Sequence, residues 1–242
     1  MKKLVPGSLG FILLSILSGS AVAADLKRAP VYTKASTMAP GNDWTGIYVG
    51  INSGGGWGTS RSDFPKLGTT TGDFSTSGAL VGGTIGVNWQ TSNVVFGLEG
   101  DGDWANIKGS SACPIATFTC ATSDSWLATA RARLGIAANA WLLYITGGGA
   151  FGDVQMGVAG PVTFAGQAVN RSGWTVGGGT EYGFAPGWSL KAEYLHVDLG
   201  SAACSIPNCS ALSVVNTPFR TEIVRAGLNY RFNWGGPIMA NY

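Results

Sequence analysis

Charge is scarce in this chain. Only 12% of its 242 residues are Asp, Glu, Lys or Arg, against roughly a quarter in ordinary soluble domains. That shortage counts against a conventional water-exposed exterior. Long apolar runs are scarce too. Beyond the N-terminal leader, nothing in the sequence approaches the ~18 consecutive apolar residues of a spanning helix. The two shortages together leave a weakly charged β protein or a membrane barrel. Histidine occurs once, at His196, and no C-x-x-C is present, so a zinc centre lacks its usual ligands and their spacing. A hydrolytic triad is likewise unsupported, because no nucleophile can be placed beside that histidine. "GGGWG" and "GGGT" are glycine-rich, but no G-K-[ST] follows them, which argues against a phosphate cradle.

What is present begins with an export signal. Lys2 and Lys3 precede the apolar "GFILLSILSG", and "AVA" at 21–23 closes it with small residues. This is the pattern of a signal peptide cleaved after Ala23. Cleavage removes two lysines and no acid, taking Lys+Arg from 15 to 13 against 13 Asp+Glu. The mature chain is then formally neutral, with no basic stripe, and nucleic acid is not an expected partner. The four cysteines fall in two close pairs. An exported chain meets oxidising conditions, so bridges Cys113–Cys120 and Cys204–Cys209 are expected, with cross-pairing between the two segments left open by sequence alone.

After a flexible lead at 24–43, alternating segments recur at 44–57, 76–89, 94–107, 124–137, 141–155, 171–185, 188–199 and 219–233. Their connectors are short ("QTSN", "ANA", "PG") and long (58–75, 108–123, 156–170, 200–218) by turns. That arrangement predicts an all-β fold: a transmembrane antiparallel up-and-down β-barrel of eight strands over 44–234, with a short tail at 235–242. Aromatics near the segment ends, among them Trp44, Trp57, Trp89, Trp104, Trp126, Trp141, Trp174 and Trp188, suit the two interfacial girdles of such a barrel. The alternative is a soluble lipocalin-like barrel with its apolar faces inside.

The stretch "VVFGLEGDGDWA" at 94–105 shows the pattern. Strand alternation puts Phe96, Leu98 and Trp104 on the lipid side and Glu99, Asp101 and Asp103 in the interior. The same reasoning assigns Asp153, Glu181 and Glu193, with Arg131, Arg133, Lys191, Arg225 and Arg231, to the lumen. Arg131 and Arg133 are expected to meet Glu99 and Asp101, and Glu181 to meet Lys191. "DGD" is not a calcium loop, since the third ligand, the following glycine and the distal glutamate are missing in register. His196 shares the outward face of Tyr194, near the loop side.

The motifs "WTGIYVGINSGGGWG", "VFGLEGDGDWA", "ARARLGIA", "LLYITGGGAFG", "GGGTEYGF" and "LKAEYLHVDLG" together resemble the small outer-membrane immunogenic proteins of Gram-negative bacteria. These are OmpA-like eight-stranded barrels of the porin family. The resemblance covers about residues 24–234 and implies residence in the outer membrane. It also implies a largely plugged lumen whose charge cluster falls on Glu99, Arg133, Glu181 and Lys191. The last strand resembles the signal read by the barrel-insertion machinery, carried here by Gly227, Tyr230 and Phe232, although ten residues follow Phe232. No peptidoglycan-binding domain follows. The partners implied are outer-membrane lipid and lipopolysaccharide, the insertion machinery, and an extracellular or host ligand at the loops; some relatives bind haemin. No cofactor, metal or catalytic residue is implied. The expected role is a loop-presenting surface protein, with a small passive channel as the alternative.

Overall fold

Side chains in a strand point to opposite faces in turn, so an alternating sequence gives each face of a sheet one chemistry. The computed structural model describes residues 43–64, 68–113, 119–159, 164–202 and 217–232. In it the alternating segments form eight strands: β1 (Gly46–Phe64), β2 (Thr69–Thr91), β3 (Val94–Ala112), β4 (Thr119–Ala138), β5 (Trp141–Ala159), β6 (Phe164–Ala185), β7 (Trp188–Ala202) and β8 (Thr217–Phe232). Each pairs antiparallel with the next, and β8 returns to β1 to close the barrel. The expected fold is thus borne out, and closure leaves no unpaired edge. At one end the hairpins are tight. Ser92 (φ 57), Asn139 (φ 54) and Gly187 (φ 76) supply the left-handed backbone that such turns require. The leader, most of the lead at 24–43, and the residues after Phe232 lie outside the described residues.

The strands run further than the sequence segments suggest. The expected long connectors are for the most part strand: β1 reaches Phe64 before β2 starts at Thr69, and β3 reaches Ala112 before β4 starts at Thr119. The reason is an inversion of pattern partway along each strand. Toward the tight-turn end, apolar residues point outward: Ile51, Ile85, Leu98, Leu134, Leu143 and Ile145 are all exposed. Past Trp57, Trp104, Trp126 and Trp174 the outward positions become polar, as at Thr59, Ser75, Asn106, Lys108 and Ser172, all exposed. Many of the inward positions there become apolar, alongside buried Ser60, Thr76, Thr122, Asp124 and Thr221. Leu80, Ile107, Leu127, Val154, Leu195, Val197, Leu199, Phe219 and Ile223 form one buried cluster.

Apolar outside and polar inside suits lipid, whereas polar outside and apolar inside suits water. The level of those tryptophans therefore marks where the bilayer ends. From Trp141 to Phe151 on β5, a tilted strand climbs roughly 25 Å, the height of an outer-membrane apolar band. β2, with 23 residues, climbs roughly 55 Å by the same geometry, so about half of it stands in water. Bulges fall at this boundary, between Trp104 and Ile107 on β3 and between Asp124 and Leu127 on β4. The β4 bulge exposes Ser125 and Trp126 consecutively and shifts the inward phase from odd to even residues.

Candidate functional site

Side chains project into the barrel interior in three layers. The central layer is ionic. β3 supplies Glu99, Asp101 and Asp103, β4 Arg131 and Arg133, β6 Glu181, β7 Lys191 and Glu193, and β8 Arg225; all are buried. Arg131 is the hub. Its guanidinium contacts Glu99, lies 3.2 Å from Asp101 and 2.9 Å from Glu193, and donates Nε–H to Thr129 Oγ1 at 2.8 Å. Arg133 reaches Glu181 Oε1 at 2.7 Å and Glu99 Oε2 at 3.4 Å. It also donates to the Tyr48 hydroxyl at 2.9 Å and lies over the Tyr144 ring, 4.0 Å from its centroid. Lys191 Nζ lies 3.1 Å from Glu99 Oε2. Arg225 contacts Asp101, Asp103 at 2.8 Å and Glu193 at 2.7 Å. Tyr48 and Tyr144 donate their hydroxyls to Glu99 at 2.8 Å and Glu193 at 3.0 Å. Glycines on neighbouring strands make room: a Cβ at Gly82 would collide with the Asp103 carboxylate, and one at Gly54 would stand 2.7 Å from Arg225 Cβ.

Below this layer, at the tight-turn end, Trp44 packs with Val95, Leu142 and Tyr144, and Arg231 lies 5.0 Å from the Trp44 ring centroid. Above it sits the apolar cluster already described. The bases Arg131, Arg133, Lys191, Arg225 and Arg231 face the acids Glu99, Asp101, Asp103, Glu181 and Glu193, all of them buried. Such pairing avoids the isolated charges that a low-dielectric interior penalises most.

Several expectations need correction. Trp44 is not a girdle residue: it is 0% exposed inside the barrel, because it precedes β1 and is held by hydrogen bonding of its N–H to Gln90 Oε1 at 2.8 Å. Asp153 is not a member of the lumen cluster. It stands opposite the β4 bulge, in phase with outward Phe151 and Gln155. There it accepts the backbone N–H of Ser125 at 3.0 Å and of Trp126 at 3.2 Å. Glu181 and Lys191 are register partners, yet each turns to a different strand, Glu181 to Arg133 and Lys191 to Glu99. The longer arginine reaches across the lumen, a connection that neighbour counting along the sheet does not anticipate.

Sequence reasoning missed the apolar upper layer and the tyrosines Tyr48 and Tyr144. The signal was available, since Leu195, Val197 and Leu199 continue the inward phase of Lys191 and Glu193. Cys113 and Cys120 are joined, with Cα atoms 5.2 Å apart; Cys204 and Cys209 lie outside the described residues. On β8, Tyr230 and Phe232 stack edge-on at 4.9 Å on the outer face, and Gly227 is the register partner of Lys191. His196 faces outward as expected, 2.6 Å from Glu222 and 5.3 Å from the Trp174 ring. Among the described residues no group of three or more His, Cys, Asp or Glu is arranged to hold a metal ion.

Comparison with known proteins gives a consistent set of likenesses. The family model described as outer membrane protein beta-barrel domain matches residues 10–232. The chain is 35% identical over 238 residues to the 31 kDa outer-membrane immunogenic protein of Brucella melitensis, covering 91% of this chain and 97% of that one. It is 25% identical over 216 residues to the 25 kDa outer-membrane immunogenic protein of Brucella canis, covering 89% and 92%. Among solved structures, the outer membrane protein OprG from Pseudomonas aeruginosa aligns with a TM-score of 0.47 and 15% identity, over 78% of this chain and 97% of that one.

Proposed function

Because the chain belongs to the outer membrane protein beta-barrel domain family, we propose that it acts as a surface protein with a closed lumen, presenting the outward end of its barrel to the exterior. One observation carries this reading: the interior is occupied at three levels, by the Trp44 cluster, the ion-paired layer and the apolar cluster. Eight strands leave an interior that side chains alone can fill. Relatives named outer-membrane immunogenic proteins support exposure of that end at the cell surface. The joined Cys113 and Cys120 brace one connection there.

The proposed role is structural or interactive, not enzymatic. The carboxylates of the central layer are bound by arginines and lysine, whereas Asp124, buried beside Asp153, has no such partner. Any ligand, haemin included, is taken at the outward rim in this reading, above the side chains that project into the lumen. Insertion uses the β8 terminus, where Tyr230 and Phe232 face outward.

Planar-bilayer recording of the refolded barrel tests the closed lumen. The expected result is no steady channel for the native protein, and brief or steady openings for Arg131→Ala, which removes contacts to three acids. Large, stable native channels unchanged by Arg131→Ala would replace this reading with that of a passive channel.

A further inference from the structure

Among the inward acids, Asp124 of β4 is the exception. It is 2% exposed and stands past Trp126, in the half of the barrel that faces water. The acids of the central layer each meet an arginine or a lysine, but among the described residues no cation reaches Asp124. Its register partners are Ile107 on β3 and Val154 on β5. Arg171 of β6, across Gly152, adds nothing to its charge balance. Lys108 of β3 is outward and exposed, and Asp103 below it is held by Arg225 at 2.8 Å. From β1, the Ser60 hydroxyl is spent on Thr122 at 3.3 Å. A Cβ at Gly152 would stand 3.6 Å from Asp124 Oδ1 and 3.1 Å from Leu199 Cδ1 of β7. That carboxyl oxygen has no hydrogen-bond partner among the described residues.

What Asp124 does meet is a second carboxyl, that of Asp153. The two are not equivalent. Asp153 accepts the Ser125 N–H at 3.0 Å and its hydroxyl at 2.8 Å, the Trp126 N–H at 3.2 Å and the Gln155 amide at 2.7 Å. Such donors hold it as the anion, and two ionised carboxylates in contact would repel. The proton of the pair therefore resides on Asp124. Burial, and then the charge of Asp153, push the Asp124 carboxyl up to about 8. An unfolded aspartate is ionised at neutral pH, so folding there takes up a proton. Asparagine would fill the same space without that requirement, so stability does not explain the acid.

Its place in the ladder does. The register shift of β3 against β4 ends where Ile107 pairs with Asp124, and the shift of β4 against β5 begins at Asp124 and its partner Val154. Regular pairing of all three strands thus resumes at this one residue. Charging it would drive the carboxyl out through the bulge, where Ser125 already faces outward. That would strain the pairing of 119–124 with 154–159 and leave the ladder from Leu127 to Ala138 intact.

We propose that Asp124 and Asp153 form a proton-held latch on the outer half of the barrel. With the proton in place, 119–124 stays paired with 154–159; its loss as the surroundings turn alkaline releases them. The folded carboxyl lies above its unfolded value, so the latch is strongest at low pH and weakens as pH rises. Its opening constant should grow about tenfold per pH unit between about 4 and 8, then level off. The latch does not depend on the lumen being closed.

Hydrogen exchange of the refolded barrel in detergent micelles, read by mass spectrometry from about pH 5 to 9 and corrected for intrinsic exchange, tests it. In the native protein the opening constant of 119–124 should climb about tenfold per pH unit up to about 8, while that of 127–138 stays flat. Asp124→Asn should keep 119–124 protected at every pH. Should that variant not fold, infrared spectra of the native protein decide: a protonated-carboxyl band should be present at neutral pH and lost by about pH 9. A pH-independent opening of native 119–124, an unchanged pH response in Asp124→Asn, or the absence of the infrared band would overturn the latch. So would protection of 119–124 by millimolar calcium chloride at neutral pH that Asp124→Asn abolishes, since the pair would then hold a metal cation in place of the proton.

Discussion

Replacing Arg133 with alanine probes the ionic layer at its most specific point. Arg133 NH2 lies 2.7 Å from Glu181 Oε1, and its other nitrogen donates to Tyr48 at 2.9 Å. Glu99 keeps Arg131 and Lys191 when Arg133 is lost, whereas Glu181 loses its close ion pair and keeps the Ser189 hydroxyl at 3.1 Å and the charge of the neighbouring Arg231. The cost therefore concentrates on one carboxylate, 2% exposed. Removing one partner of a buried pair costs ~3–5 kcal/mol, and the lost stacking on Tyr144 adds ~0.5–2 kcal/mol. Water drawn into the space, or a proton taken up by Glu181, returns part of this, so the expected loss is ~3 kcal/mol. By contrast Arg220→Ala, at a pair whose arginine side chain is 64% exposed, should cost no more than ~1 kcal/mol. Urea unfolding in phospholipid vesicles, followed by tryptophan fluorescence and gel shift, measures both. Combining Arg133→Ala with Glu181→Gln should recover at least ~1.5 kcal/mol in a double-mutant cycle. An Arg133→Ala cost below ~1 kcal/mol, or no coupling to Glu181, would refute the assignment of a buried, dependent pair.

Other outcomes follow from closure and packing. The barrel should resist SDS unless boiled and then migrate differently, because no strand edge is open to detergent; identical migration before and after boiling would count against closure. Non-reducing peptide mapping should recover a Cys113–Cys120 linked peptide. Reducing that bridge should raise protease cleavage near 113–120 while shifting barrel unfolding by less than ~1 kcal/mol, since the β3–β4 ladder remains. Gly173→Ala should destabilise by ~1–3 kcal/mol, because its Cβ would overlap the Asp198 carbonyl oxygen and stand 2.7 Å from Leu199 Cα. Gly102→Ala, with nothing within 4 Å, should stay within ~0.5 kcal/mol in the same urea assay.

Strand number, closure and the facing of the central residues were legible because alternation is strict where lipid is the solvent. Phe96, Leu98 and Trp104 are 52%, 55% and 75% exposed while Glu99, Asp101 and Asp103 are buried, and the sequence alone separates them by parity. Strand length was not legible, because a search for lipid-facing faces ends where Trp57, Trp104 and Trp126 give way to serine and threonine. Asp153 was misplaced by its charge: the alternation of β5 itself puts it on the outward face of Leu143, Ile145 and Phe151, and what sequence does not show is the β4 bulge that it caps. Trp44 misled in a different way. An aromatic at a strand end has the same one-dimensional signature whether it lies in the interface or turns into the mouth of the barrel.

The inverted halves also explain why the central layer is ionic, although an apolar filling of equal volume is often as stable as a buried salt bridge. In a strand, a one-residue slip of register moves every side chain to the opposite face. Were the interior apolar at bilayer depth, both faces of β3 and β4 would suit lipid and a slip would go unpenalised. With Glu99, Arg131, Arg133 and Arg225 inside, the same slip drives charges into hydrocarbon, at ~2–4 kcal/mol for each arginine near the midplane. In the water-exposed half the opposite pattern imposes the same discipline. A slip there would expose Leu195, Val197 and Ile223, now at most 1% exposed, and bury Asp198 and Arg220. One register therefore satisfies two solvents with reversed demands. The β4 bulge joins the two regimes: Ser125 and Trp126 face outward consecutively and Asp153 binds their amides, so the phase shifts by one residue without leaving those backbone donors unpaired. The ionic layer thus contributes chiefly to the choice of register, and its share of net stability is the smaller part.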